Sequence, residues 1–244
     1  MKQEKIIMGM TIRIEIVDPN VNPQIFDKIF SYFEEVDQKF STYKKDSEIS
    51  KINEGVLKEQ NYSEDMREIF YLAEQTKQET HGYFDIKTPD NTLDTCGIVK
   101  GWAIKNAAEI LKGMGYRNFY LEAGGDIEVS GTKFSQRWQV GIRHPHKPQE
   151  VVKVLSLENK GIATSGNYVH ENHIYNPNGK NKKDIVSLTV IGPNIYEADR
   201  FATAAFAMGR NGIFFIENLP GLEGYMIDKY GIATMTSNFE KYLA

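Results

Sequence analysis

At 244 residues the chain can bury a sizeable core and fits one domain or two tightly fused halves. Its 41% hydrophobic and 25% charged residues are those of an ordinary globular protein, and a formal net charge of −4 gives no electrostatic ground for a nucleic-acid partner. The single cysteine, Cys96, excludes an intramolecular disulfide and does not imply an oxidising compartment.

Met10, Ile12, Ile14 and Ile16 alternate with Thr11, Arg13 and Glu15, which predicts a half-buried strand and not the continuous apolar run of a secretion signal. No stretch is apolar enough to span a bilayer, so there is no membrane segment. The chain as given reads as cytoplasmic, with an exported precursor cropped at its N-terminus as the alternative. Asn22-Pro23 supplies a cap and a first helical proline, and Ile25, Ile29, Phe33, Val36 and Phe40 then repeat at helical spacing. A second helix is predicted over 63–80, capped by Ser63 with Gly82 just past its end, and a third over about 99–114, stopping at Gly115. Strand patterns fill 118–191 (FYLEA, DIEVS, RWQVGI, VVKVLSL, GIATS and DIVSLTVI). A helix at 196–208, a short one at 213–217 and strands around Tyr225 and Ile232 close the chain.

Helices around a run of meander-like strands predict an α+β fold, here taken as a single domain over 1–244. No G-x-G-x-x-G follows a predicted strand and no G-x-x-x-x-G-K-[ST] is present, so a nucleotide would be bound without a Rossmann or P-loop cradle.

Several groups can carry chemistry. Asp199 and Thr203 share one helix face at i, i+4, and a carboxylate with a hydroxyl suits a hard cation such as Mg²⁺. A buried helix with a capping Asp and an inward Thr is the bland alternative. Asp94-Thr-Cys-Gly-Ile-Val-Lys100-Gly101 places an acid, a glycine turn and a lysine ahead of a helix, an arrangement that favours phosphate or is simply a loop. AGGDI reads as a glycine turn beside Asp126, or as a hairpin with a polar tip. His170 and His173 lie three apart, but no cysteine or second carboxylate cluster accompanies them, which argues against zinc. His144 and His146 flank Pro145 in an expected surface loop.

Taken in order, MGM, FSTYKKDSEISKIN, GYFDI, DTCGIVKGWA, AGGDI, WQVGI, GIATSGNY, HIYNP and ADRFATAAFAMG resemble the FAD:protein FMN transferase family, often called ApbE. The resemblance runs through almost the whole chain and is far more specific than any one motif. It implies an ApbE-like fold of two fused strand-and-helix halves sharing one flavin site. It implies Mg²⁺ held by the loop carbonyl of Gly97 and the side chains of Asp199 and Thr203. It also implies FAD as a substrate surrounded by Met8, Tyr43, Tyr83, Phe84, Asp85, Asp94, Lys100 and His173. The implied reaction attaches FMN to a threonine or serine of an acceptor flavoprotein, a reductase or respiratory subunit, and releases AMP. The resemblance further implies that His173, Asp199 and Thr203 carry the chemistry, with His173 or Asp94 the candidate to accept the hydroxyl proton.

The chain departs from the family pattern at Asn176, where members often carry an aspartate before the proline, and in the NGKNKK segment that follows. Members are also commonly exported or lipid-anchored. These differences bear on acceptor choice and location more than on the FAD–metal site. A metal-dependent FAD pyrophosphatase giving FMN and AMP would use the same residues. A non-catalytic FAD-binding protein is the other alternative, against which the Asp199–Thr203 pair argues.

Overall fold

The structure, a computed structural model, describes residues 1–166 and 184–244. The strands are β1 Lys2–Ile7, β2 Met10–Ile16, β3 Phe119–Ala123, β4 Asp126–Ser130, β5 Trp138–His144, β6 Lys147–Leu157, β7 Lys160–Gly166, β8 Ile185–Gly192, β9 Glu223–Asp228 and β10 Ala233–Met235. Eight of them form one sheet in the order β1-β2-β3-β4-β7-β8-β9-β10, and β5 and β6 make a separate hairpin. Every pairing among these strands is antiparallel, which leaves no βαβ cradle among the described residues.

The helices are α1 Gln24–Phe40, α2 Glu48–Asn53, α3 Glu64–Glu79, α4 Cys96–Gly113, α5 Ile195–Ala207 and α6 Gly212–Glu217. α1 starts one residue later than the sequence suggests: Pro23, with helical dihedrals, is the cap and Gln24 the first helical residue, and Asn22 accepts the Gln24 N–H at 3.1 Å. Ser63 accepts the Met66 N–H at the start of α3, and Gly82, at φ +80°, ends that segment by donating to the Lys77 carbonyl. Asn194 caps α5 through the Glu197 N–H at 3.0 Å.

One face of the sheet carries the main core, in which Ile12, Ile14, Phe119 and Leu121 meet Phe26, Phe33, Ile104 and Ala202. The other face is covered by the β5–β6 hairpin and the short C-terminal helical turn Phe239–Tyr242: Ile127, Val129, Ile162 and Ile227 pack with Trp138, Leu155, Leu157 and Phe239. Strand β4 is therefore buried on both sides. Ile127 and Val129 face the hairpin, so the alternation of side chains turns Asp126 and Glu128 toward the helices. No helix among the described residues is long and apolar enough to cross a membrane.

Three elements differ from the sequence reading. α4 begins at Cys96, before the expected 99. α2 is an added short helix, capped by buried Ser47. β1 was not legible because only Ile7 of its six residues is buried.

Candidate active site

The first turn of α4 lies across the middle of α5. A Cβ added at Gly101 would meet Asp199 Cβ at 2.7 Å, and one at Gly97 would meet Thr203 Cγ2 at 3.3 Å and Oγ1 at 3.9 Å. The two helices thus approach closely: at Gly101 a side chain would force Asp199 to shift, and at Gly97 it would crowd Thr203 and Phe84. Of the residues that the resemblance implies for the metal, Gly97 lies against Thr203, while Asp199 lies against Gly101, one turn further along α4. Gly97, however, sits in the first helical turn and not in a loop. The buried contacts of Ile98 and Val99 and the close fit of Gly97 against Phe84 override the weak helix propensity of Thr95-Cys96-Gly97. The same correction applies to Lys100, which is inside the helix, not ahead of it.

Lys100 reaches from α4 to β4, where its Nζ lies 2.7 Å from Asp126 Oδ2 and 3.9 Å from Asp199 Oδ1. Asp126 and Asp199 are 2% and 3% exposed, and their carboxyl groups contact each other. Asp126 Oδ1 also accepts the Thr164 N–H from β7 at 3.1 Å. The Gly101 N–H donates to Asp199 Oδ2 at 2.8 Å. In a regular helix that donor serves the carbonyl four residues back, here Gly97.

Burial pushes the Asp199 carboxyl well above the ordinary carboxylate range. The Lys100 ammonium and the Gly101 N–H oppose that shift, and Asp126 adds to it. Burial would by itself depress Lys100, but the charges of Asp126 and Asp199 outweigh it and hold the ammonium above its usual value. With both carboxyl groups ionised, two negative charges would face one ammonium in a buried place, an excess that a proton or a cation can offset.

The remaining candidates are placed around this cluster to different degrees. Phe84 is buried with its ring edge 3.2 Å from the Gly97 Cβ position, and Tyr83 beside it is half-buried. Asp94 Oδ1 accepts the Cys96 N–H at 2.9 Å, so this acid closes the end of α4 where the motif suggests phosphate. Asp85 pairs with Lys77 at 2.7 Å. Met8 has φ +56° in the β1–β2 turn and packs against the main core. That turn is at the same end of the sheet as Asp126, since Met10 lies on Gly124 in the β3–β4 turn. Tyr43 is 84% exposed after the end of α1 and takes no part in these contacts. His173, with His170 and Asn176, lies outside the described residues.

Asp126 is the residue that sequence reasoning underrated. AGGDI does form a glycine hairpin turn, with φ +60° and +97° at Gly124 and Gly125, but Asp126 is buried and not a polar tip. The available signal was an acid at the mouth of a strand whose next positions are apolar. A cavity of about 130 Å³ opens elsewhere, between the β5–β6 turn and β9, lined by residues such as His144, His146, Tyr225 and Lys229. None of the predicted site residues among the described ones lines it.

Fold and cluster together define an α+β protein with a buried charged cluster where two helices meet the end of an antiparallel sheet. The chain belongs to the ApbE family, which it matches over residues 8–89 and 86–226. The FAD:protein FMN transferase of Haemophilus influenzae is 25% identical over 311 aligned residues, covering 96% of this chain and 89% of the relative. The FAD:protein FMN transferase of Vibrio cholerae is 30% identical over 133 residues, 50% of this chain and 40% of its own length. Among solved structures, the flavin transferase ApbE from Vibrio cholerae has a TM-score of 0.86 at 24% identity, covering 100% of this chain and 99% of that one. The ApbE protein of Thermotoga maritima has a TM-score of 0.89 at 22% identity with the same coverage. At those identities the structural likeness carries the fold.

Proposed function

We propose that this protein transfers the FMN half of FAD to a threonine or serine hydroxyl of an acceptor flavoprotein and releases AMP, with Mg²⁺ held by the Gly97 carbonyl and the side chains of Asp199 and Thr203. The observation that carries this reading is the meeting of those three residues, across the α4–α5 contact, beside the buried Lys100–Asp126 pair. The names of the relatives supply the substrate class.

The residues fit a hard, largely hydrated cation. Asp199 is a buried carboxyl group that shares a single ammonium with Asp126 and accepts the Gly101 N–H, so a cation would favour its ionised form. Among the described residues no group of three or more His, Cys, Asp or Glu could hold a metal. Mg²⁺ takes one or two carboxylates and completes its shell with water and phosphate oxygens, which a single buried carboxyl beside a hydroxyl could serve. When bound, the ion would neutralise pyrophosphate charge and polarise the phosphorus under attack.

The chain's own residues supply position and proton handling. Lys100 is fixed by Asp126 and Asp199, so its charge stands at a constant place beside the phosphate-accepting end of the site. The pyrophosphate P–O bond to AMP breaks as a P–O bond to the acceptor oxygen forms. The hydroxyl proton passes to a base, for which Asp94 and His173 are the candidates.

The test is to incubate the protein with FAD, Mg²⁺ and candidate flavoproteins and measure intact acceptor mass. The expected result is a gain of one FMN, localised to a Thr or Ser. Absence of any gain across acceptors that carry an accessible hydroxyl would overturn the transferase reading.

A further inference from the structure

Glu128 is a buried carboxylate that the chemistry above does not use. It is 3% exposed, on the helix-facing side of β4, two residues beyond Asp126. A charged side chain in a doubly covered strand is costly unless it is bonded. Its Oε2 accepts the Ile195 N–H, the first of α5, at 2.7 Å. Helix N-termini leave their first N–H groups without internal partners, so this carboxyl satisfies one from outside the helix.

The seat around that bond is built for close approach. Glu128 pairs with Gly161 on β7, and Gly161 pairs with Gly192 on β8. A Cβ at Gly161 would fall 2.0 Å from the Ile195 nitrogen, and one at Gly192 would fall 3.2 Å from the Ala198 nitrogen and the Asn194 oxygen. Three neighbouring strands therefore present, side by side, a carboxylate and two bare backbones to the first turn of α5. The glycines let the helix end rest on the sheet, and Glu128 fastens it. Asp199 lies four residues after Ile195, about one helical turn away, and Thr203 one turn further.

We propose that Glu128 is a positioning residue: by clamping the N-terminus of α5 to β4 it sets where Asp199 and Thr203 stand opposite Gly97. The inference rests on the metal reading given under the proposed function. Asp126 and Glu128, on one strand face, then hold α4 and α5 respectively, and the strand acts as the common reference for both halves of the ligand set.

The experiment titrates Mg²⁺ alone into the purified protein by calorimetry and measures the Mg²⁺ dependence of AMP release from FAD. Wild type is compared with Asp199→Ala, Glu128→Gln, Glu128→Asp and Glu128→Leu, each checked for folding by circular dichroism. Glu128→Gln keeps an oxygen for the Ile195 N–H and should retain near-wild-type affinity. Glu128→Asp and Glu128→Leu should weaken Mg²⁺ binding by about tenfold or more, the range seen when supporting partners of metal ligands are removed. They should also raise the Mg²⁺ needed for half-maximal rate while leaving KM for FAD nearly unchanged. A purely structural Glu128 would lower thermal stability without moving the Mg²⁺ constants. Wild-type Mg²⁺ affinity in the folded Asp and Leu variants overturns the clamp, and if the Leu variant does not fold the Asp variant decides. If wild type and Asp199→Ala bind Mg²⁺ alike, the metal reading itself falls and takes the clamp with it.

Discussion

At the residue scale the site is a matter of buried charge. Asp126, Lys100 and Asp199 satisfy one another, so removing the lysine leaves two carboxylates facing each other out of water. Lys100→Met should therefore lower stability by about 3–5 kcal/mol, and adding Asp126→Asn should recover part of that loss. Urea unfolding of the two single variants and the double variant checks this, and simple additivity would contradict a coupled cluster. Asp199→Ala should reduce AMP release by on the order of a thousandfold or more while the fold persists. Near-wild-type, Mg²⁺-dependent AMP release from that variant would show the ligand to be wrong.

Glu128 gives a pH test at the same scale. Burial, opposed by the Ile195 N–H and by Lys112, pushes its carboxyl from an ordinary 4.5 up to about 7. The folded state then holds the proton more tightly than the unfolded chain. Its contribution is complete below pH 4.5 and is lost as pH rises through about 7. Wild type should lose more stability than Glu128→Gln between about pH 5 and pH 8, by on the order of 2–3 kcal/mol at most. Equal slopes for the two proteins would mean the carboxyl is not held neutral.

At the scale of elements, the proposed metal site would depend on how closely α4 lies against α5. Gly101→Ala would drive a methyl group to 2.7 Å from Asp199 Cβ and 3.0 Å from the Ile195 carbonyl, so the helices must separate. We expect a stability loss of about 1–3 kcal/mol and a weaker metal site, measured by thermal unfolding and Mg²⁺ titration. An unchanged protein would mean the contact is looser than it stands. Much of this level was legible in the sequence, because capping residues and apolar spacing are local: Ser63 and the Ile25–Phe40 face are visible without a structure. The start of α4 was not legible, since Thr95-Cys96-Gly97 favours a loop until Phe84 and Thr203 pack against it. Strand β4 misleads in the opposite way. DIEVS alternates like a strand with one wet face, yet the face carrying Asp126 and Glu128 turns inward to hold helices.

For the whole molecule, local pattern predicted strands and helices but not their pairing. β4 joins β7 and leaves β5 and β6 to fold over the far side of the sheet, a choice made by Ile127, Val129, Trp138 and Leu157 packing together and by nothing in the local periodicity. Asp199 and Thr203 show as a pair within their own helix, but Gly97 was linked to them only through the ordered motifs, because it starts α4 and they lie in α5. Asp126 and Glu128 escaped for the same reason: their partners, Lys100 and Ile195, are on other elements. The central claim is that this assembled site delivers FMN to a protein hydroxyl in preference to water. An acceptor hydroxyl held in line with the phosphorus gains an effective concentration of roughly 10⁵ M or more over a loosely placed competitor. The most direct measurement is the ratio of covalent to free FMN as acceptor is titrated at fixed FAD and Mg²⁺, with AMP counted in parallel. Covalent FMN rising to match AMP at saturating acceptor is the predicted result. Free FMN still dominating at saturation, across several flavoproteins, would contradict it and make the protein an FAD pyrophosphatase.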